Sequence, residues 1–365
     1  MGVGARALEG VDLNAAFWRG RRVLLTGHTG FKGGWLATWL KELGAELTGF
    51  GLPAPASPSM FEAAHVADGM TTLEGDVRDE AAVRAAVRAA RAEVVLHLAA
   101  QPLVRRSYRQ PVETFAANLL GTVHVLDAVR EAGGTRVVLC VTTDKVYENV
   151  GQERGYVEDD QLGGHDPYSA SKAAAELAVS AYRRSFLEQA GTGVATARAG
   201  NVIGGGDWGE DRLVPDVARA WRAGEPVVVR SPDAVRPWQH VLNPLSGYLG
   251  LVERLWDEPD LAGPWNFGPD EDDAWPVAAI VERLAGHWGI DVHIRPDGGP
   301  HEAAHLRLDS RRAHERLGWH PRWPLDRALD ATAEWYSAHA AGEDMRAVTA
   351  EQVRAFLATS STVGA

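Results

Sequence analysis

Arg22-Val23-Leu24-Leu25-Thr26-Gly27-His28-Thr29-Gly30-Phe31-Lys32-Gly33 is the stretch on which the fold turns. Arg22 to Thr26 reads as a strand and Lys32 to Leu43 as a helix, with three glycines between them. Glycine allows a tight turn and lets backbone approach a diphosphate lying on the helix N-terminus. The spacing is GxxGxxG rather than GxGxxG, and the glycines alone would also fit a simple tight turn. The strand–turn–helix context favours a dinucleotide site built from Gly27, Thr29, Gly30, Phe31, Lys32 and Gly33.

Outward from this turn, short apolar runs alternate with helix-like segments. Ala45 to Phe50, Val94 to Leu98, Arg136 to Thr142 and Gly193 to Arg198 read as strands. Asp79 to Arg91, Pro111 to Ala132 and Pro167 to Gln189 read as helices. The alternation predicts an α/β fold: a Rossmann-type, doubly wound parallel sheet with helices on both faces. Beyond Asn201 the pattern becomes irregular, with helices expected at Arg212 to Ala223, Pro244 to Trp256, Val277 to Trp288, Ser310 to Leu317 and Leu325 to Ala341. The expected division is a dinucleotide-binding domain over 17–200, rejoined by about 236–260, and a smaller C-terminal substrate-binding lobe. That lobe takes 201–235 and 261–345, and residues 359–365 read as a frayed tail.

Composition narrows the function. The net charge of -12 over 365 residues argues against a nucleic-acid partner. A single cysteine, Cys140, sits in an apolar run, excludes an internal disulfide and fits a reducing compartment. No stretch reaches the roughly 18 to 20 apolar residues of a membrane span, and Met1 to Gly20 does not read as a signal peptide, so a cytoplasmic location is expected. The 37 basic residues include only four lysines, Lys32, Lys41, Lys145 and Lys172, and three of these fall in the motifs described here. Lysine can lose its proton at working pH and arginine cannot, which makes these positions informative.

Two strand ends add to the cofactor site. Gly75-Asp76-Val77-Arg78-Asp79 offers Asp76 as an acceptor for an adenine amino group, with Val77 beside it and Asp79 as a helix N-cap. His97-Leu98-Ala99-Ala100-Gln101 places Ala99 and Ala100 where a ring can lie close to backbone, and His97 reads equally as a packed core histidine. The densest chemistry lies in Thr142-Thr143-Asp144-Lys145-Val146-Tyr147, followed by Tyr168-Ser169-Ala170-Ser171-Lys172 at a helix start. Tyr168 and Lys172 are four apart and share one helix face. A lysine cation beside a phenol favours the phenolate, giving a base able to take a hydroxyl proton as hydride leaves the same carbon.

From about 17 to 340 the chain resembles the extended short-chain dehydrogenase/reductase family, most closely its branch that dehydrates CDP-linked glucose. Three stretches carry the finer likeness: Gly30-Phe31-Lys32-Gly33; Thr143-Asp144-Lys145, where most sugar-nucleotide dehydratases have Thr-Asp-Glu; and Gly200-Asn201 through Trp208, running on to Arg212 and Asp216. Val235-Arg236-Pro237-Trp238-Gln239-His240-Val241 resembles the family's clamp on a nucleotide diphosphate. The resemblance implies NAD as cofactor and CDP-glucose or a related nucleotide sugar as substrate. It also implies catalytic roles for Thr143, Asp144, Lys145, Tyr168 and Lys172, with Lys145 standing where relatives place a glutamate base. Asn201, Arg212, Arg236 and Asn266 are the candidate substrate contacts. Arg212 and Arg236 supply forks for diphosphate oxygens or pair within the lobe, and Asn201 and Asn266 bind sugar or cap turns. Other nucleotide-sugar dehydratases and 4-epimerases are the alternatives, and a homodimer through the helices 111–132 and 167–189 is implied.

Gly51 to Ser59 lacks both the acid expected on an NAD ribose and the base expected on an NADP phosphate, so the residues at that strand end do not choose between them. His301-Glu302-Ala303-Ala304-His305 matches a zinc-protease pattern. It follows Gly298-Gly299-Pro300 and precedes alternating residues, so no long helix is expected there and no metal site is assigned.

Overall fold

The computed structural model describes residues 13–54, 56–229, 232–294 and 306–359. Seven parallel strands form its central sheet: β1 (Arg22–Thr26), β2 (Glu46–Gly51), β3 (Thr71–Glu74), β4 (Val94–His97), β5 (Val137–Val141), β6 (Gly193–Arg198) and β10 (Gly263–Asn266). Their order is β10-β6-β5-β4-β1-β2-β3, so the chain reverses direction across the sheet between β1 and β4. Every residue of β4 and β5 is buried, as a central parallel strand covered on both faces requires.

The alternation of side chains along each strand divides the core in two. Leu25, Leu96 and Leu139 face one layer, which includes Trp35 and Trp39 of helix α1 (Phe31–Glu42). Leu24, Val95 and Val138 face the other, with Val83 and Val87 of α2 (Glu80–Ala90) and Val125 and Val129 of α3 (Gly121–Ala132). Asp79 caps α2 by accepting from Ala81 N and Ala82 N.

Two expected helices carry interruptions. Between Pro111–Phe115 and α3 lies a π-turn, Ala116–Leu120, and α4 (Pro167–Tyr182) continues into a π-turn at Arg183–Leu187. The first places Asn118, fully buried, against Gln101 and Ser171, a local distortion that hydrophobic periodicity does not reveal.

The irregular half contains α5 (Leu213–Ala223), α6 (Leu242–Asp257), α7 (Val277–Trp288), α8 (Leu325–Ala341) and α9 (Met345–Ala358). It also contains a sheet ordered β11 (Ala274–Pro276)-β9 (Val235–His240)-β7 (Asn201–Ile203) and the parallel pair β12 (Val292–Ile294)-β8 (Val227–Val229). Strand β10 joins the central sheet through β6, although its residues fall in the span expected for the small lobe. Strand β9, expected to rejoin the main domain, pairs instead with β7 and β11. Helix α9 was not expected; its Phe356 packs edge-on against Trp39 at 5.5 Å, and Arg354 pairs with Glu42 at 3.1 Å. The histidine pair at 301–305 lies outside the described residues.

The two halves meet at a glycine. Trp35 Nε1 donates to Gly205 O at 2.9 Å, and a Cβ on Gly205 would overlap the Trp335 ring. Gly205→Ala should therefore cost about 1–3 kcal/mol, the usual range for overpacking. Gly286 lies inside α7 with nothing near a built Cβ, so Gly286→Ala should be neutral or stabilising by up to about 1 kcal/mol. Urea unfolding of both variants checks the contrast.

Candidate active site

The turn after β1 is built for close approach. Gly27 has φ +76°, and a Cβ there would lie 2.7 Å from Ala99 N. A Cβ on Gly33 would overlap Gly27 O. Gly30 caps α1 without any side-chain hydrogen bond, leaving the N–H groups of the first turn free of side-chain partners. These features fit a dinucleotide diphosphate at the sheet's point of reversal. Thr29 Oγ1 donates to Leu52 O at 2.9 Å and ties the turn to the end of β2. Ala99 and Ala100 follow β4 beside the turn, and Val77 packs under α3, where a Cβ on Gly121 would touch it. Asp76 lies at the end of β3, its carboxylate accepting from Arg78 N at 2.9 Å and Arg78 Nε at 2.8 Å; the Arg78 guanidinium holds it below the usual carboxylate range.

The catalytic candidates converge where β5 ends. Thr143, Asp144, Tyr168 and Lys172 are all buried, and Lys145 is half-buried. Thr143 begins a 3₁₀ turn, Asp144–Val146, and its hydroxyl donates to Asp144 Oδ1 at 2.9 Å. The same hydroxyl is hydrogen-bonded to Tyr168. Asp166 caps α4 through Ser169 N, and Pro167 occupies the first turn, which fixes where Tyr168 enters the site. Asn118 Nδ2 donates to Ser171 Oγ at 2.9 Å, and Ser171 Oγ donates to Tyr168 O at 2.7 Å.

Burial governs the protonation of these groups. It raises the Asp144 carboxyl above its usual range, against the pull of Lys145, the Thr143 hydrogen bond and Arg236. That favours the proton-bearing acid. Burial likewise pushes Tyr168 up to about 12 and Lys172 down to about 8. The expected lowering of the tyrosine by its lysine is not what this geometry gives. The Lys172 ammonium donates to Val141 O at 2.8 Å, and desolvation dominates the phenol.

Lys32 lies farther into the site than a phosphate-loop residue need reach. Its Nζ stands 3.4 Å from the Tyr248 hydroxyl, a fully buried group on α6 that the sequence does not single out. Burial first, then the neighbouring Arg212 and Lys172, brings Lys32 down to about 8. Arg212 pairs with buried Asp207 at 2.7 Å and lies within electrostatic reach of Tyr168, while Arg236 on β9 acts on Asp144. Lys32, Lys145 and Arg236 thus act on Asp144, and Arg212 and Lys172 lie beside Lys32, a field suited to a diphosphate-bearing substrate despite the chain's net negative charge. Asn201 lies half-buried on β7, opposite Trp238 of β9.

Asn266 is placed elsewhere. It is fully buried; its Oδ1 accepts from the Tyr147 hydroxyl at 2.7 Å, and its Nδ2 donates to Tyr156 O at 2.8 Å and Asp309 O at 3.1 Å. With these polar atoms engaged, it braces the loop after β5 and offers nothing to a substrate. His97 is a packed core histidine, 2.7 Å from Thr26 Oγ1 and 3.1 Å from Thr122 Oγ1. Cys140 is buried, its thiol pushed up to about 12.

Residues 23–258 match the family described as NAD dependent epimerase/dehydratase. The chain is 46% identical to the CDP-glucose 4,6-dehydratase of Salmonella typhimurium over 359 residues, 96% of this chain and 99% of that protein. It is 28% identical to a dTDP-glucose 4,6-dehydratase of Xanthomonas campestris over 287 residues, 72% of this chain and 78% of the relative. Among solved structures, the UDP-glucose 4-epimerase of Thermus thermophilus in complex with NAD superposes with a TM-score of 0.75 at 26% identity, covering 87% of this chain and 99% of that one.

Burial lowers His97 to about 3, so the folded protein keeps it neutral where the unfolded chain, near pH 6.5, takes up a proton. The unfolded state then binds more protons, and stability should fall as pH drops from about 7 to 5. His97→Gln, which retains hydrogen-bonding groups without titrating, should show a shallower fall in the urea midpoint over that range.

Proposed function

Because the chain belongs to the NAD dependent epimerase/dehydratase family, we propose that it converts CDP-glucose to CDP-4-keto-6-deoxyglucose and water. The observation that carries this reading is the near full-length identity of 46% to a CDP-glucose 4,6-dehydratase, together with an acid and a lysine set beside Thr143 and Tyr168. A 4-epimerase requires only Thr143, Tyr168 and Lys172. The Asp144-Lys145 pair is what elimination adds.

Gly27, Thr29, Gly30, Phe31, Lys32, Gly33, Asp76, Val77, Ala99 and Ala100 would hold NAD, with Tyr168 and Lys172 at its nicotinamide end. NAD, when bound, supplies oxidation at the sugar C4 and reduction at C6. Tyr168 takes the C4 hydroxyl proton, and Thr143 hydrogen-bonds that hydroxyl. Lys172, anchored on Val141 O at 2.8 Å, supplies a positive charge one helical turn from Tyr168. With C4 a ketone, the C5 proton is acidic and Lys145 removes it. Asp144, kept proton-bearing by burial, delivers a proton to the departing C6 hydroxyl, which leaves as water. Arg212 and Arg236 grip the diphosphate, and Asn201 borders the sugar.

We infer a homodimer from the helix pair that flanks the π-turns. Val112 is 80% exposed and Leu177 63%, and Leu120 and Phe186 are exposed beside them, an apolar face of the kind a second copy covers. A cytoplasmic site of action fits the single buried thiol, and among the described residues no helix is long and apolar enough to cross a membrane.

The purified protein should release a 4-ketosugar from CDP-glucose, with dTDP-, GDP- and UDP-glucose as comparisons. Substrate deuterated at C4 should give product labelled at C6; label lost to solvent, or reduced cofactor accumulating with product, would replace dehydration with simple oxidation. Tyr168→Phe should lower kcat by about 10²- to 10⁴-fold, the scale of general-base catalysis, without loss of fold. Lys145→Arg keeps the charge but cannot act as a base, so turnover and C5 proton exchange should fall together, while Lys145→Glu should retain part of both.

A further inference from the structure

We propose that Glu176, paired with Arg198, is a positioning residue for the reaction: it fixes the helix bearing Tyr168 and Lys172 against the strand end bearing Thr143 and Asp144. This rests on the reading of those four residues as the catalytic group. Glu176 follows Lys172 by four residues and Tyr168 by eight on α4, so all three lie along one helix face. Its carboxylate is buried, and each oxygen takes two donors. Oε1 accepts from Thr142 Oγ1 at 2.6 Å and Arg198 Nε at 2.9 Å. Oε2 accepts from Thr196 Oγ1 at 2.7 Å and Arg198 Nη2 at 3.0 Å. Thr142 immediately precedes Thr143, and Thr196 and Arg198 stand on the neighbouring strand β6.

Arg198 carries the constraint to the far side of the catalytic turn. Its Nη1 donates to the Tyr147 hydroxyl at 2.8 Å and to Glu158 O at 3.0 Å. Tyr147 directly follows the 3₁₀ turn that holds Asp144 and Lys145, and its own hydroxyl donates to Asn266. One buried ion pair therefore sets the register of the helix and closes the turn. Stability alone gives little reason to keep it, because well-packed apolar residues commonly replace a buried pair without loss of stability. What apolar residues cannot supply is fixed direction: bidentate, saturated hydrogen bonds hold the two catalytic segments in one relative geometry.

The pair also bears on the charge of Lys172. The groups facing that ammonium are Cys140 on β5, His97 on β4, Lys32 on α1, and Tyr168 and Glu176 on its own helix. Among them Glu176 carries the negative charge that favours the ammonium, against a burial that pulls it down to about 8. Without the Glu176 charge, Lys172 loses its proton at lower pH, and activity that needs the cation ends sooner on the alkaline side.

The full-length enzyme, assayed with NAD and CDP-glucose, tests this with three variants. In Glu176→Gln and in the double variant Glu176→Leu/Arg198→Met, kcat should fall at least about tenfold while KM stays within about threefold, the split expected when orientation rather than binding is lost. The alkaline limb of kcat should move to lower pH in Glu176→Gln. Thr142→Val leaves the ion pair intact and removes one donor; it should fold normally and lose about three- to tenfold in kcat. A folded double variant with wild-type kcat and an unmoved limb overturns the proposal. If the two Glu176 variants do not fold, Thr142→Val decides alone: wild-type kcat and pH profile overturn the proposal, and a selective loss of kcat upholds it. Wild-type turnover, measured alongside, tests the assignment of substrate separately from the role of Glu176.

Discussion

At Gly27 and Gly33 the chain brings backbone against backbone with no room for a side chain. Gly27 leans on Ala99 at the end of β4, and Gly33 lies under Gly27 O at the start of α1. The contact joins the first strand, the first long helix and the strand across the sheet's reversal. Once it forms, the uncapped N-terminus of α1 sits over the carboxyl edge of the sheet, and Trp35 on the same helix reaches Gly205 in the other half. The strand ends that carry Asp76, Ala99 and Thr143 then face one cleft, because parallel strands in a doubly wound sheet present the same ends together.

The parts of this arrangement visible in the sequence are those encoded locally. Helices α7 and α8 begin and end at the residues their periodicity indicates, and β6 does too. The tyrosine–lysine spacing on α4 and the turn after β1 are short-range patterns of the same kind. What escaped was set by partners distant in the chain. Strands of three or four residues such as β7, β10 and β11 carry too few residues for alternation to show, and their membership is fixed by hydrogen bonds to β9 or β6. Asn266 illustrates the other limit: a conspicuous Asn in an apolar setting suits a ligand as well as a structural brace, and only its contacts to Tyr147, Tyr156 and Asp309 separate the two. Tyr248, Glu176 and Arg198 likewise gain meaning only through neighbours that no local motif indicates.

The site also shows how a low local dielectric selects protonation states. Asp144 and Lys32 lie close together, yet desolvation is the largest influence on each and moves both toward neutrality. The same burial that would make the resting phenol a poor base makes Asp144 a usable acid. Acid and base duties thus fall to buried groups 24 residues apart in sequence, and the supporting cations are placed by five different elements.

Helix α9 has a bearing on how the protein is made. Phe356 covers Trp39, Arg354 reaches Glu42, and Arg346 reaches Asp68, so the last helix closes the outer side of the first strand–helix–strand unit. During synthesis that unit leaves the ribosome more than 300 residues before its cover does. Trp39 lacks its Phe356 contact throughout that interval. The nascent cofactor-binding unit cannot complete its packing until residues 345–358 have been made, which delays its maturation behind that of the rest of the sheet.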